Sequence, residues 1–391
     1  MSWKLVALFV ILCPLLGATL DAQEIQSNPL MKEYNQAWRL TGQQKYDDAL
    51  VVLKEIIAKD KTFYRAYAGV AEAYNGKKDL AEAERYFHLL LEQDGQNGLC
   101  FYGLGKAYDA RKDYHPAREQ YKKCIELAPD WYGCYWAMVQ SFLDEHNRGG
   151  VVNWVEAVDY FKKRGGEHPD NPALYLALGM SYQTQGHLLE ALRVYEIGLE
   201  KATKNQDVEL QYRLVWGLGW TNQGHDNTKS LERFEQALRL VEAMGDEAEK
   251  ISTVMWIGAA HLSLGDHRQA VEHYQQARRL AREAGHKWWE ASVMRDLGVF
   301  YAEHGNDRKK ALEWYEQALR IFQEIGDLHW QVKLLESIAA AHREAGDDPR
   351  ALEHLQRALK LAREGEEIGG KGRFSNPWQS SMACVGTSRR L

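Results

Sequence analysis

The stretch GLCFYGLGKAYDARKDYHPAREQYKKCIELAPDW, residues 98–131, decides the fold. Its 34 residues hold two helical patterns in succession. Phe101, Leu104, Gly105 and Tyr108 recur at the three- and four-residue spacing of one helix face, and Ala117, Tyr121 and Cys124 do so after the turn. Pro129 ends the second helix, because proline lacks the amide hydrogen and forces the residue before it out of the helical region. Gly105 and Ala117 are small enough for the two helices to meet backbone to backbone. Tyr108, Tyr114 and Tyr121 fill the space beside them.

The same phrase recurs along the chain. The small residue near the start of each second helix falls at Ala49, Ala83, Ala117, Ala157, Ala191, Ser230, Ala270, Ala311 and Ala351. The intervals are 34, 34, 40, 34, 39, 40, 41 and 40 residues. A large residue follows four positions later in every unit: Leu53, Phe87, Tyr121, Phe161, Tyr195, Phe234, Tyr274, Tyr315 and Leu355. The first helices carry their own small marker at Ala71, Gly105, Gly179, Gly217, Gly258, Gly298 and Ala339. Nine units in register override the two or three globular domains that the length alone suggests.

This pattern resembles the tetratricopeptide repeat, with its large residue, Leu-Gly, Tyr, then Gly, Ala, Tyr or Phe, Ala and Pro at these spacings. The resemblance covers residues 29–363. It implies an all-α fold, a right-handed superhelical solenoid of about nine helix pairs in which each unit packs on its neighbours. Units one to five fill residues 29–205, and unit four is expanded by DEHNRGGVVNW, whose glycines break the helix. Units six to nine fill residues 206–364 and run at the longer period, turning at Gly245, Gly285 and Gly326. This longer type is similar to the arrays of mitotic-orientation scaffolds and to those that precede CHAT protease domains. Trp289 and Trp330 share one register there and are expected to pack the added helical turn.

The ends are separate objects. Residues 1–22 read as a secretory signal peptide: MSWK supplies a positive charge, residues 5–16 are apolar, and GATLDAQ supplies small residues, with cleavage expected after Ala22. The apolar run is shorter than the roughly 20 residues a spanning helix needs. The mature chain is thus expected in the periplasm or outside the cell, meeting a membrane only through its signal peptide; a retained anchor is the other reading. No Asn-x-Ser/Thr sequon occurs, which favours a bacterial envelope. Residues 365–391, rich in glycine and without period, read as a disordered tail.

Little in the sequence suggests catalysis. With 49 basic and 55 acidic residues, net −6, there is no polybasic footprint for nucleic acid. Zinc-protease, nucleophile-elbow, CxxC and phosphate-loop spacings are all missing, so no enzyme activity, metal or cofactor is expected. His261 and His342 stand where other units place tyrosine and read as packing residues.

Function is expected on the concave side, which first helices line in such superhelices. The family's ligand positions fall here on Tyr34, Trp38, Tyr102, Lys106, Trp136, Gln140, Met180, Arg295 and Lys333. Chaperone-binding members hold a peptide carboxylate with Lys and Asn, and Tyr34 and Trp38 occupy the corresponding places, so that clamp is absent. The aromatic strip either packs the first helices together or forms a groove for a peptide or helix of a partner protein. The expected function is a protein-binding scaffold or assembly factor of the cell envelope. Two other readings are a regulatory array of a longer CHAT-type protease and a polysaccharide-binding surface. The oligomeric state is not legible.

Three cysteines complete the expectations. Cys124 and Cys134 straddle the turn at Pro129 evenly, and Cys100 and Cys124 straddle the turn near Lys112. In an antiparallel hairpin such residues face each other. Cys124 is therefore expected to bond one of the two, Cys134 being favoured by its short loop; buried free thiols are the competing reading.

Overall fold

The computed structural model describes residues 29–129, 131–147 and 152–369. Among them are eighteen helices in nine antiparallel pairs. Units one to three pair α1 (Pro29–Gly42) with α2 (Tyr46–Lys59), α3 (Tyr64–Lys77) with α4 (Leu80–Gln93), and α5 (Gly98–Arg111) with α6 (Tyr114–Leu127). Units four to six pair α7 (Tyr132–Asn147) with α8 (Trp154–Glu167), α9 (Pro172–Thr184) with α10 (Leu188–Lys204), and α11 (Val208–Asn222) with α12 (Asn227–Met244). Units seven to nine pair α13 (Glu247–Ser263) with α14 (His267–Glu283), α15 (Lys287–Glu303) with α16 (Arg308–Glu324), and α17 (Leu328–Glu344) with α18 (Asp348–Gly369).

The repeat markers are the core. All nine small residues near the start of the second helices are at most 5% exposed. Eight of the nine large residues four positions on are also buried; Leu355 in the last unit is 46% exposed, together with Leu352 and Leu359. These three sit one helical turn apart on the outer face of α18, which no described unit covers. The close contact within a pair differs from the expected one. A Cβ on Gly105 would lie 2.4 Å from the Tyr121 ring, and Gly179 and Gly298 stand equally close to Tyr195 and Tyr315. Glycine therefore makes room for an aromatic ring rather than for the facing backbone.

Turn chemistry sets the longer units apart. Gly245 and Gly326 adopt φ of +67° and +72°, the left-handed geometry that closes a helix and costs a glycine little. Each is followed by an aspartate that caps the next helix. The Asp246 carboxylate accepts from the Glu249 amide at 3.1 Å, and Asp327 from the Trp330 amide at 3.2 Å. Trp289 and Trp330 are buried at 4% and 8%, packing the added turns as expected.

Several sequence expectations meet the structure at particular residues. Asp144 to Asn147, read as loop in unit four, are the last turn of α7. Helix α18 continues to Gly369, into the stretch read as tail. The proposed signal peptide and residues 370–391 lie outside the described residues. Cys124 and Cys134 are joined by a disulfide, with Cα atoms 5.9 Å apart, while Cys100 is a buried free thiol. The expected Cys100–Cys124 facing is not formed. Cys134 near the start of α7 meets the end of α6, and by the same repeat geometry Cys100 meets the end of α4, where Leu90 stands in place of Cys124.

Candidate functional site

The superhelix turns tightly enough for unit one to reach units six to eight. Asn35 donates to the Gly245 carbonyl at 3.0 Å, and Gln44 to the Ile325 carbonyl at 2.6 Å. Arg39 makes a bidentate pair with Glu247. Trp38 stacks on His286 with ring centroids 4.4 Å apart and planes 18° from parallel. Burial pushes His286 down to about 4, so the stacked imidazole is neutral at physiological pH. The three turns that mark the longer units thus form a seat for α1. Backbone carbonyls at helix C-termini carry partial negative charge, and the amide donors of Asn35 and Gln44 meet two of them there.

A second, buried link joins unit two to units six and seven. Arg65, 8% exposed in the first turn of α3, donates to Asp246 and, at 2.9 Å, to Glu209. Arg213 on α11 pairs with Glu249 at 2.7 Å. The Tyr132 and Tyr212 hydroxyls donate to Glu209 and Glu249, each at 2.9 Å. Local chemistry places these carboxylates: Asp246 caps α13, and Glu209 and Glu249 lie in first helical turns, where negative charge is favoured. Three carboxylates against two guanidinium groups leave an acidic excess. Burial pushes Glu209 up to about 8 and raises Glu249, while the nearby Arg213 opposes both shifts.

Between these links lies a cavity of 340 Å³ bounded by first helices and the turns that face them. Tyr64, Tyr102, Trp131 and Tyr132 form one continuous aromatic wall. Tyr102 meets Trp131 edge-on at 4.6 Å, and Tyr64 lies 5.3 Å from Trp131 and 6.3 Å from Tyr132. Burial lifts the phenols of Tyr34, Tyr102 and Tyr132 above their usual range, so they stay neutral hydrogen-bonding groups. Behind Lys106 the cavity opens into a recess of 40 Å³ that shares Glu72, Asn75 and Lys106 with it and adds Asp109, Gln140 and Asp144.

Of the residues singled out in the sequence, Tyr34, Trp38, Tyr102, Lys106 and Trp136 line the cavity. Gln140 lines the recess. Met180 is 6% exposed within the core of units three to six. Arg295 pairs with Asp296 at 2.6 Å and lies 4.3 Å over the Trp330 ring. Lys333 is exposed and pairs with Glu336 at 3.2 Å. The last three do not line the cavity, because it is bounded where unit one closes on the array, away from the middle and the far end. Sequence reasoning missed Trp131, Arg65, Arg213 and His286. The only trace of them was unusual residue types at repeat positions, an arginine early in a first helix and a tryptophan just after the Pro that ends a unit.

Comparison with known proteins agrees with this architecture. Tetratricopeptide repeat profiles match residues 40–99, 100–130, 250–324 and 307–364, together just over half of the chain. Among solved structures, BtubC (BKLC) from P. vanneervenii is similar at 21% identity and a TM-score of 0.45, covering 57% of this chain and 92% of that one. The apo form of RapI is similar at 10% identity and a TM-score of 0.46, covering 83% and 99%. A Rap protein complexed with competence and sporulation factor is similar at 14% identity and a TM-score of 0.45, covering 88% and 99%. The repeat matches, the buried markers and the eighteen paired helices have one consequence: this chain belongs to the tetratricopeptide repeat family, and its array is a protein-interaction scaffold.

Proposed function

We propose that the array holds an extended segment of a partner protein in its central cavity, in an envelope or extracellular compartment, and carries no catalysis of its own. The observation that carries this reading is the lining of the cavity, where Tyr64, Tyr102, Trp131 and Tyr132 form one aromatic wall on the inner side of the array. The cavity of 340 Å³ accommodates a few residues of extended chain. The aromatic wall supplies apolar contact for alternate side chains, and the neutral phenols supply hydrogen bonds to a peptide backbone. The N-terminal sequence and the Cys124–Cys134 pair both suit an oxidising compartment.

A photoreactive residue placed at Tyr102 tests the reading. Illuminated with an envelope extract, the variant is expected to crosslink to one partner segment, and Trp136→Ala is expected to abolish that product while helicity by circular dichroism is unchanged. Crosslinks that persist in Trp136→Ala, or that arise only from labels on the second helices, would overturn it.

A further inference from the structure

Helix α18 leaves open a face that the other units cover. Leu352, Leu355 and Leu359 on it are 57%, 46% and 52% exposed. Their counterparts in other units are core residues. Leu53, Phe87 and Tyr315 stand at the position of Leu355, Leu50 and Val158 at that of Leu352, and Ile57, Ile125 and Leu319 at that of Leu359, and all of them are buried. The cover there is the first helix of the next unit, antiparallel to the helix it seats on. A Cβ on Gly69 of α3 would lie 2.8 Å from Leu53, and one on Gly103 of α5 would lie 2.2 Å from the Phe87 ring. The open face of α18 therefore has the register that takes an antiparallel helix. Leucines scattered singly on a surface need no partner, but these three follow one another along a single stripe.

The charges on the stripe point to which helix it takes. Asp348, Leu352, Leu355, Leu359 and Arg363 recur at spacings of three and four residues, and both charged side chains are exposed. Asp348 and Leu352 stand as far before the midpoint between Leu355 and Gln356 as Arg363 and Leu359 stand after it. The pattern is thus its own complement when read backwards.

We propose that α18 of a second copy of this chain covers the face, the two helices packing antiparallel about a twofold axis beside Leu355 and Gln356. Leu352 of each copy then meets Leu359 of the other, and Asp348 of each meets Arg363 of the other, so one stripe supplies two leucine contacts and two ion pairs. The pairing rests on one helix from each copy, which is small beside the roughly 1,200–2,000 Å² of a standard stable interface, so the dimer is a reversible one. None of the three leucines lines the central cavity. The dimer therefore leaves both cavities free and is bivalent toward whatever they bind.

Sedimentation velocity of the full chain, from about 1 to 100 µM, tests the pairing, since weak interfaces associate in that range. A monomer–dimer equilibrium is expected. Leu355→Glu, on a side chain already half in water, weakens it at least about a hundredfold with helicity by circular dichroism unchanged. Asp348→Arg and Arg363→Asp each set like charges opposite one another and weaken it about fivefold, while the double variant returns to the parental affinity. Each reversal also opposes the dipole of α18, so an effect on the helix alone makes the double variant the worst of the three rather than the best. A chain that stays monomeric throughout, a dimer indifferent to Leu355→Glu, or a double reversal without rescue overturns the proposal. A photoreactive residue in place of Leu359 identifies the cover directly, and a crosslinked product of twice the chain's mass is expected. A link from that position to residues 370–391 of the same chain gives the face to that segment and overturns the assignment to a second copy.

Discussion

Replacing Gly105 with alanine tests whether glycine is there for a ring. The added Cβ would stand 2.4 Å from the Tyr121 ring, inside any allowed contact. Tyr121 is fully buried, and the Tyr102 ring lies 6.2 Å away, centroid to centroid. The ring has nowhere to retreat without shifting α6 or giving up its hydrogen bond to Asp109. Overpacking of that kind costs about 1–3 kcal/mol. Alanine's helix propensity returns about 0.8–1 kcal/mol, and strain on a hydrogen bond to a charged group adds about 1.5–3 kcal/mol if the bond breaks. With that bond broken the sum is a net loss of roughly 1.5–5 kcal/mol by those same terms. Gly165 on α8 is the control, since a Cβ there meets nothing within 4 Å. Gly165→Ala should stabilise by about 0.5–1 kcal/mol, from propensity alone. Thermal unfolding followed by circular dichroism reads the opposite signs, at about 2–4 °C per kcal/mol for a chain of this order of size. Amide exchange across α5 and α6 locates the loss, because arrays of repeats open in parts. A Gly105→Ala protein as stable as the parent, or a Gly165→Ala protein that loses as much, would refute the reasoning.

Three further outcomes follow from the geometry. Arg65→Ala strands Asp246 and Glu209 in a buried site and is expected to cost about 3–5 kcal/mol, with a larger radius of gyration by X-ray scattering; an unchanged radius would show that the cluster does not hold the superhelix closed. Burial and the facing His261 hold His273 below its usual pKa, and burial, Arg357 and His342 do the same for His354. These rings bind fewer protons folded than unfolded, so their contribution is present above the unfolded value near 6.5 and is lost as pH falls through the folded value; amide protection in units seven and nine, taken relative to the intrinsic exchange rate at each pH, should fall from pH 7 to 5, and His273→Gln should remove the effect in unit seven. Cys124→Ser opens a ten-residue cross-link and is expected to cost about 2–3 kcal/mol, while Cys100 in the unreduced folded parent resists labelling because it is buried.

The fold was legible because its information is local. Each pair is fixed by residues three, four and seven apart, and the small markers from Ala49 to Ala351 are buried as their spacing requires. The Cys124–Cys134 neighbours were legible for the same reason, since they flank one turn. The site was half legible. Tyr34, Trp38, Tyr102, Lys106 and Trp136 could be placed on the inner side by counting along first helices, and Met180, Arg295 and Lys333 fell at equivalent counts. What counting does not give is the curvature of the whole array. Asn35 and Gly245 are 210 residues apart, and Gln44 and Ile325 are 281 apart. No periodic signal encodes contacts of that range, because each unit specifies only its angle to the next and small angles accumulate over nine units.

That accumulation also explains why the closure is built from two kinds of contact. The Arg65 cluster is buried and multiply bonded, so it tolerates little change in the distance between units two and seven. The α1 contacts are of another kind: amide side chains reaching backbone carbonyls, one exposed ion pair and one ring stack. Exposed ion pairs contribute at most about 1 kcal/mol, and single neutral hydrogen bonds about as much. On the proposed function, a segment that entered between unit one and the turns at Gly245, Gly285 and Gly326 would meet the weaker set. Opening there leaves the Arg65 link intact and so leaves the aromatic wall in place. The closure is thereby firm at the Arg65 cluster and weaker at α1, a difference that follows from which residues cap the longer helices.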